Sequence, residues 1–127
     1  MALNQRIKED APKNAPIQST EANYEAGAHI YRENCAMCHG LPGQAPTPTS
    51  RGMYPKPPQL FKGHGVTDDP AGETYWKVAN GIRLTGMPAY SNSLSETEMW
   101  QVSLLLANAD KLSPQVRSTL QQPLATN

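Results

Sequence analysis

Cys35 and Cys38 stand three residues apart and His39 follows at once, in the run Cys35-Ala36-Met37-Cys38-His39. Two thiols at that spacing on a helix end can each add to a vinyl group of one porphyrin, and the adjacent imidazole is then delivered beneath the iron as an axial ligand. This is the attachment pattern of c-type haem. Three other readings of the pair compete. A thioredoxin-like Cys-x-x-Cys wants a preceding strand and a βαβ pattern, and neither is visible. A zinc or iron-sulfur site needs further Cys or His partners at ligand spacing, and only His29 and His64 remain. A plain disulfide or two free thiols would leave His39 without a purpose.

An iron that passes electrons and does not take up oxygen needs its second axial position filled, and a thioether there favours the ferrous state. Five methionines compete. Met1 is terminal, Met37 lies inside the attachment turn, and Met99 falls on an apolar helix face where a core role fits better. Met53 and Met87 lie in loops and stay open on this argument, as does His64 in the polar turn Lys62-Gly63-His64-Gly65. Arg51, Tyr54, Trp76 and Lys77 are candidates to neutralise or hydrogen-bond haem propionates, because buried carboxylates need partners. Trp76 serves equally well as core packing. His29 receives no role.

The elements that position these groups read as helices. Thr20 caps a helix over about 21–36, with Tyr24, Ala28, Tyr31 and Cys35 recurring at helical spacing. Asp68-Asp69-Pro70 sets up a second helix from Ala71 to about Gly81. Ser95 and Glu98 form a capping-box pattern before a helix over about 96–108 carrying Met99, Val102, Leu105 and Leu106. The segment 41–58 holds six prolines and is expected to wrap irregularly, as is 83–93 around Gly86-Met87-Pro88. Pro114, at a first-turn position after Ser113, allows a further turn or two of helix. The domain plan is an extended arm over 1–21, a domain over 22–112 and a tail over 113–127. The fold class is all-α, and no stretch alternates with the period of a strand.

Composition limits the rest. The chain has 127 residues, 11 basic and 11 acidic, and no block of like charge, which argues against nucleic acid or an anionic membrane as the main partner. Residues 51–83 hold five basic and three acidic residues, enough only for modest, salt-sensitive steering. No run approaches the roughly 18 apolar residues of a membrane span. Leu, Ile, Val and Phe together number 20, a thin stock of core for this length. A porphyrin buries apolar area comparable with several aromatic side chains, so the domain without haem is expected to fold poorly.

The residues resemble the small, single-haem bacterial cytochromes c of class I. The resemblance rests on Gly27-x-x-x-Tyr31-x-x-x-Cys35-Ala-Met-Cys38-His39-Gly40, on Gly86-Met87-Pro88 and on Leu94-Ser95-x-x-Glu98-Met99. It covers about 23–109. It implies the small cytochrome c fold, with three main helices and long irregular loops around one covalent haem c. It implies thioethers from Cys35 and Cys38, axial ligation by His39 and Met87, and a proline carbonyl as the partner of His39. Pro58, in Pro58-Gln59-Leu60, matches that last position, with Pro57 as its rival. Gly27 and Tyr31 match residues that pack against the C-terminal helix of the family, although the aromatic often found there is replaced by Leu105.

The implied function is one-electron carriage between donor and acceptor redox proteins, by a monomer that is not an enzyme. A haem enzyme or gas sensor with a displaceable sixth ligand is the alternative, and so is the tethered electron-transfer domain of a larger membrane-anchored protein. The start Met1 to Asp10 has no apolar signal core. The expected location is periplasmic or extracytoplasmic, with an export signal or anchor upstream.

Overall fold

The computed structural model describes residues 10–54, 57–61, 70–82 and 85–122, and among these the regular elements are all helices. In chain order they are α1 (Glu21–Asn34), α2 (Ala36–His39), α3 (Pro48–Arg51), α4 (Ala71–Asn80), α5 (Glu96–Ala107) and α6 (Pro114–Gln121). None is long and apolar enough to cross a membrane. His64 lies outside the described residues.

Local chemistry sets the helix ends. The Thr20 hydroxyl accepts from the Asn23 amide at 3.2 Å and starts α1. Ser95 and Glu98 form the reciprocal capping box of α5, each side chain accepting from the other residue's backbone N–H, at 3.1 and 2.9 Å. Ser113 caps α6 and Pro114 occupies its first turn, where a missing N–H costs nothing. Each such cap contributes about 1 kcal/mol.

Two expectations need amendment. The helix from Glu21 ends at Asn34, and the attachment run forms a separate turn, α2, because Cys35 departs from ideal helical geometry at φ −114°. The proline-rich stretch is also less irregular than expected. Pro48 sits at the start of α3, where its fixed φ suits a helix, and Thr47 caps that turn by accepting from Ser50 N.

Three pairings hold the fold: α1 crosses α5, α4 packs on α5, and α6 packs on α1. The centre is formed by Ala28 and Tyr31 of α1, Val102 and Leu105 of α5, and Val116 and Leu120 of α6, all fully buried. Tyr75 of α4 stacks on Trp100 of α5, with ring centroids 4.3 Å apart and planes 18° from parallel. The tail segment is therefore part of the core, and polar ties reinforce it: Arg32 donates to the Gln122 carbonyl and Thr119 to the Glu25 carboxylate, both at 2.5 Å. At the other end of the chain, the Pro12 carbonyl lies directly against Gly72 at the start of α4.

The α1–α5 crossing depends on Gly27. A Cβ there would fall on the Gln101 carbonyl and 3.2 Å from Leu105 Cβ, so the two backbones meet with no room for a side chain. Leu105 fills the space beside this contact in place of an aromatic ring. Gly27→Ala should lower unfolding stability by about 2–3 kcal/mol through overpacking. Gly52→Ala, whose added methyl meets nothing nearer than 3.8 Å, should stay within about 1 kcal/mol of the parent in the same denaturant titration.

Candidate haem site

The turn α2 gathers the reactive groups. Cys35, Cys38 and His39 stand at positions i, i+3 and i+4, which share one face of a helical turn. His39 N and Gly40 N donate to the Cys35 and Ala36 carbonyls at 2.9 and 2.8 Å, closing the turn. Gly40 then takes φ 75°, which lets the chain leave sharply. The Tyr31 hydroxyl, buried in the core, donates to the Gly40 carbonyl at 2.5 Å, and the Thr47 hydroxyl donates to the Met37 carbonyl. Phe61 meets the Tyr31 ring edge-on at 5.1 Å. The turn is thereby pinned from below by α1 and from the side by the loop that follows it.

His39 has a fixed tautomer. Its Nδ1 lies 2.8 Å from the Pro58 carbonyl, which can only accept, so Nδ1 carries the proton and Nε2 keeps its lone pair. Burial lowers the imidazole pKa, and the Pro58 hydrogen bond opposes this in part. The neutral ring is the form that binds a metal. No disulfide joins Cys35 and Cys38. Burial, and then the nearby Cys38 charge, push the Cys35 thiol up to about 12. A disulfide-exchange site needs the opposite shift.

These groups border a cleft of about 340 Å³, within the range of cofactor pockets. Its walls are mainly apolar, from Leu60, Val78, Ile82 and Leu106, and both Met53 and Met87 line it. The Met87 segment is held against the end of α4. Gly81 closes that helix at φ 70°, and a Cβ there would meet the Met87, Pro88 and Ala89 backbone at 2.8 Å. Ile82 N donates to the Met87 carbonyl at 3.3 Å, and Tyr90 N to the Val78 carbonyl at 2.9 Å. The Met53 methyl rests against Gly86, next to Met87.

Of the residues singled out by sequence, Cys35, Cys38, His39, Pro58, Lys77 and Met87 all border this cleft. Pro57 borders it too, but the carbonyl that meets His39 is that of Pro58. Arg51 lies in an adjoining crease with Pro57 and Gln59. Tyr54 is 98% exposed and outside the cleft lining, as is Trp76, whose carbonyl accepts from the Asn80 amide. Met99 is buried in the core beside α1.

Sequence reasoning passed over Tyr90. It borders the cleft, and its hydroxyl donates to the Asn34 carbonyl at 3.0 Å. Burial and the two cysteines keep that hydroxyl protonated by raising its pKa. An aromatic residue three positions after the loop methionine was the available signal.

The donor set suits a flat apolar macrocycle carrying iron. An imidazole with a free Nε2 and two thioethers border an apolar cleft, and two thiols stand beside the imidazole where covalent links to the ring edge would form.

Stability at high pH reports on the pinned turn. Burial is the main cause that raises the Tyr31 pKa above its ordinary value of 10.0, and it does not depend on the state of Cys35. A group raised on folding stabilises the native state fully below the unfolded pKa, and that stability is lost as pH climbs above it. Denaturant midpoints should therefore fall as pH rises above about 10. Tyr31→Phe should flatten part of this fall while costing about 1 kcal/mol at neutral pH, through the orphaned Gly40 carbonyl.

A family model described as cytochrome c oxidase, cbb3-type, subunit III matches residues 22–104. No curated protein matches the chain. Among solved structures the chain is similar to one from the reducing HAO-like protein complex of Kuenenia stuttgartiensis, with a TM-score of 0.62 and 25% identity. That similarity covers 75% of this chain and 47% of the other, so this chain spans about half the length of its structural relative. The residues on the cleft, the all-α fold and the family match converge on one conclusion: the chain belongs to the cbb3-type oxidase subunit III family of small c-type cytochrome domains, which bind haem c covalently and serve in electron transfer.

Proposed function

We propose that the chain carries a single haem c, thioether-linked through Cys35 and Cys38 and ligated by His39 and Met87, and that it shuttles one electron at a time between redox proteins without catalysing a reaction of its own. The observation that carries this reading is the cleft itself: the attachment turn and the Met87 segment both border one apolar space. Haem supplies the one-electron chemistry of its iron, and the protein supplies attachment, ligation and environment.

Each residue then has a definite task. Cys35 and Cys38 hold the ring edge permanently. His39 offers Nε2, while its Nδ1–H is held by the Pro58 carbonyl, which orients the ring and strengthens the ligand. Met87 offers a soft sulfur that favours reduced iron. Leu60, Val78, Ile82 and Leu106 exclude water and disfavour the extra charge of the oxidised state. Lys77, which borders the cleft, is the first candidate to attract a propionate, and Arg51 in the adjoining crease is the second. Tyr54 and Trp76 are left as contacts of the exposed ring edge at most. Cytochrome c domains typically work outside the cytoplasm, and a periplasmic setting, with donor and acceptor proteins meeting the haem edge, is part of the proposal.

The alternative, a haem enzyme or gas sensor, requires a sixth ligand that leaves easily. The test is spectroscopic. The oxidised parent should be low-spin with the weak far-red band of sulfur ligation, and should not bind carbon monoxide readily when reduced. Met87→Ala should abolish that band, open the iron to carbon monoxide and lower the potential by about 60 mV or more, a tenfold change in a one-electron equilibrium. An unchanged spectrum in Met87→Ala would transfer the ligand role to Met53 or His64.

A further inference from the structure

The Met87 segment is tied to the fold in two directions. Toward α4, the ties are from backbone to backbone: Tyr90 N to the Val78 carbonyl at 2.9 Å, Ser91 N to the Ala79 carbonyl at 3.4 Å, and Ile82 N to the Met87 carbonyl at 3.3 Å. Toward α1 the tie is a side chain. The Tyr90 hydroxyl donates to the Asn34 carbonyl at 3.0 Å across 56 residues of sequence. Asn34 is the last residue of α1 and immediately precedes Cys35. Its carbonyl lies in the last turn of the helix, where no intrahelical donor reaches it, so the phenol satisfies an orphan acceptor. The hydroxyl thus links the helix end that leads into Cys35, Cys38 and His39 to the segment that carries Met87, and both border the cleft.

We propose that Tyr90 is a positioning residue whose hydroxyl, through the Asn34 carbonyl, locks the Met87 segment in register with the attachment turn and so sets how readily the sixth ligand is displaced. This rests on Met87 being that ligand. The backbone of Tyr90 is anchored independently, since its carbonyl accepts from Leu94 N at 2.8 Å and from Ser93 N at 3.0 Å. Removing the hydroxyl therefore leaves the ring and the loop in place and removes the link to Asn34 alone. A methionine that must swing away to admit another ligand first has to break this link. Without it the segment opens against α4 contacts only, and the ligand-off state becomes more populated by the factor that one ordinary hydrogen bond contributes to an equilibrium, about fivefold.

The experiment is a titration of the oxidised holoprotein with imidazole, following the far-red sulfur band. Tyr90→Phe should bind imidazole about fivefold more tightly than the parent, with the far-red band still present before imidazole is added. Thr119→Val serves as the control. It removes the hydrogen bond to Glu25 on the α1–α6 contact, far from the cleft, and should leave imidazole affinity unchanged while lowering stability comparably. Equal affinities in Tyr90→Phe and the parent would overturn the role of the hydroxyl and leave Met87 ligation standing. Equal gains in Tyr90→Phe and Thr119→Val would also overturn it, by showing that general loosening suffices. A parent with no far-red band would overturn the Met87 reading and this inference with it.

Discussion

A c-type attachment site has to present two thiols and an imidazole to one haem, and the proposed ligation would add a second donor from another segment of the chain. Much of the described structure serves that arrangement. The i, i+3, i+4 placement of Cys35, Cys38 and His39 solves the first half within a single helical turn. In the proposed ligation the second donor comes from the Met87 segment, which is neither helix nor strand, and α4 supplies the surface against which that segment is held. Gly81 allows the backbones of the helix end and the Met87 segment to come within contact of each other, which a side chain would prevent. The Pro58 carbonyl finishes the arrangement by choosing which imidazole nitrogen faces the cleft.

The helical frame beneath the site is economical for the same reason. Only 20 residues are Leu, Ile, Val or Phe, and the buried set concentrates where α1 meets α5 and α6. On the α4 side, apolar residues such as Val78 and Leu106 face the cleft as well as the protein interior. A porphyrin held by Cys35, Cys38 and His39 in this cleft would add apolar contact comparable with several aromatic side chains. The Tyr31 hydroxyl on the Gly40 carbonyl ties that core directly to the attachment turn.

Local signals made much of this legible in the sequence. Thr20, Ser95 and Ser113 announce helix starts by short-range hydrogen bonding, which needs no tertiary context, and all three caps form. The apolar periods of α1 and α5 point to the faces that meet. What escaped was set by contacts between distant segments. The break at Cys35 follows from the turn's closure on Tyr31 and Gly40, and the short helix at Pro48 from a cap that a count of prolines conceals. Tyr90 was overlooked because its partner is a backbone carbonyl at the end of another helix, which no side-chain pattern marks. Tyr54, polar and aromatic in a promising loop, is 98% exposed, and nothing in its neighbours' identities reveals that orientation. Pro58 could be separated from Pro57 only by the hydrogen bond to His39.

The central claim is that Cys35 and Cys38 hold one haem in this cleft. A reduced pyridine haemochrome spectrum of the purified protein, set against its concentration, tests it most directly. One haem per chain with the spectrum of a ring saturated at both vinyl positions is the predicted result. A haem that extracts into acidified organic solvent with its vinyl groups intact, or a protein that matures with free thiols and no haem, would contradict it.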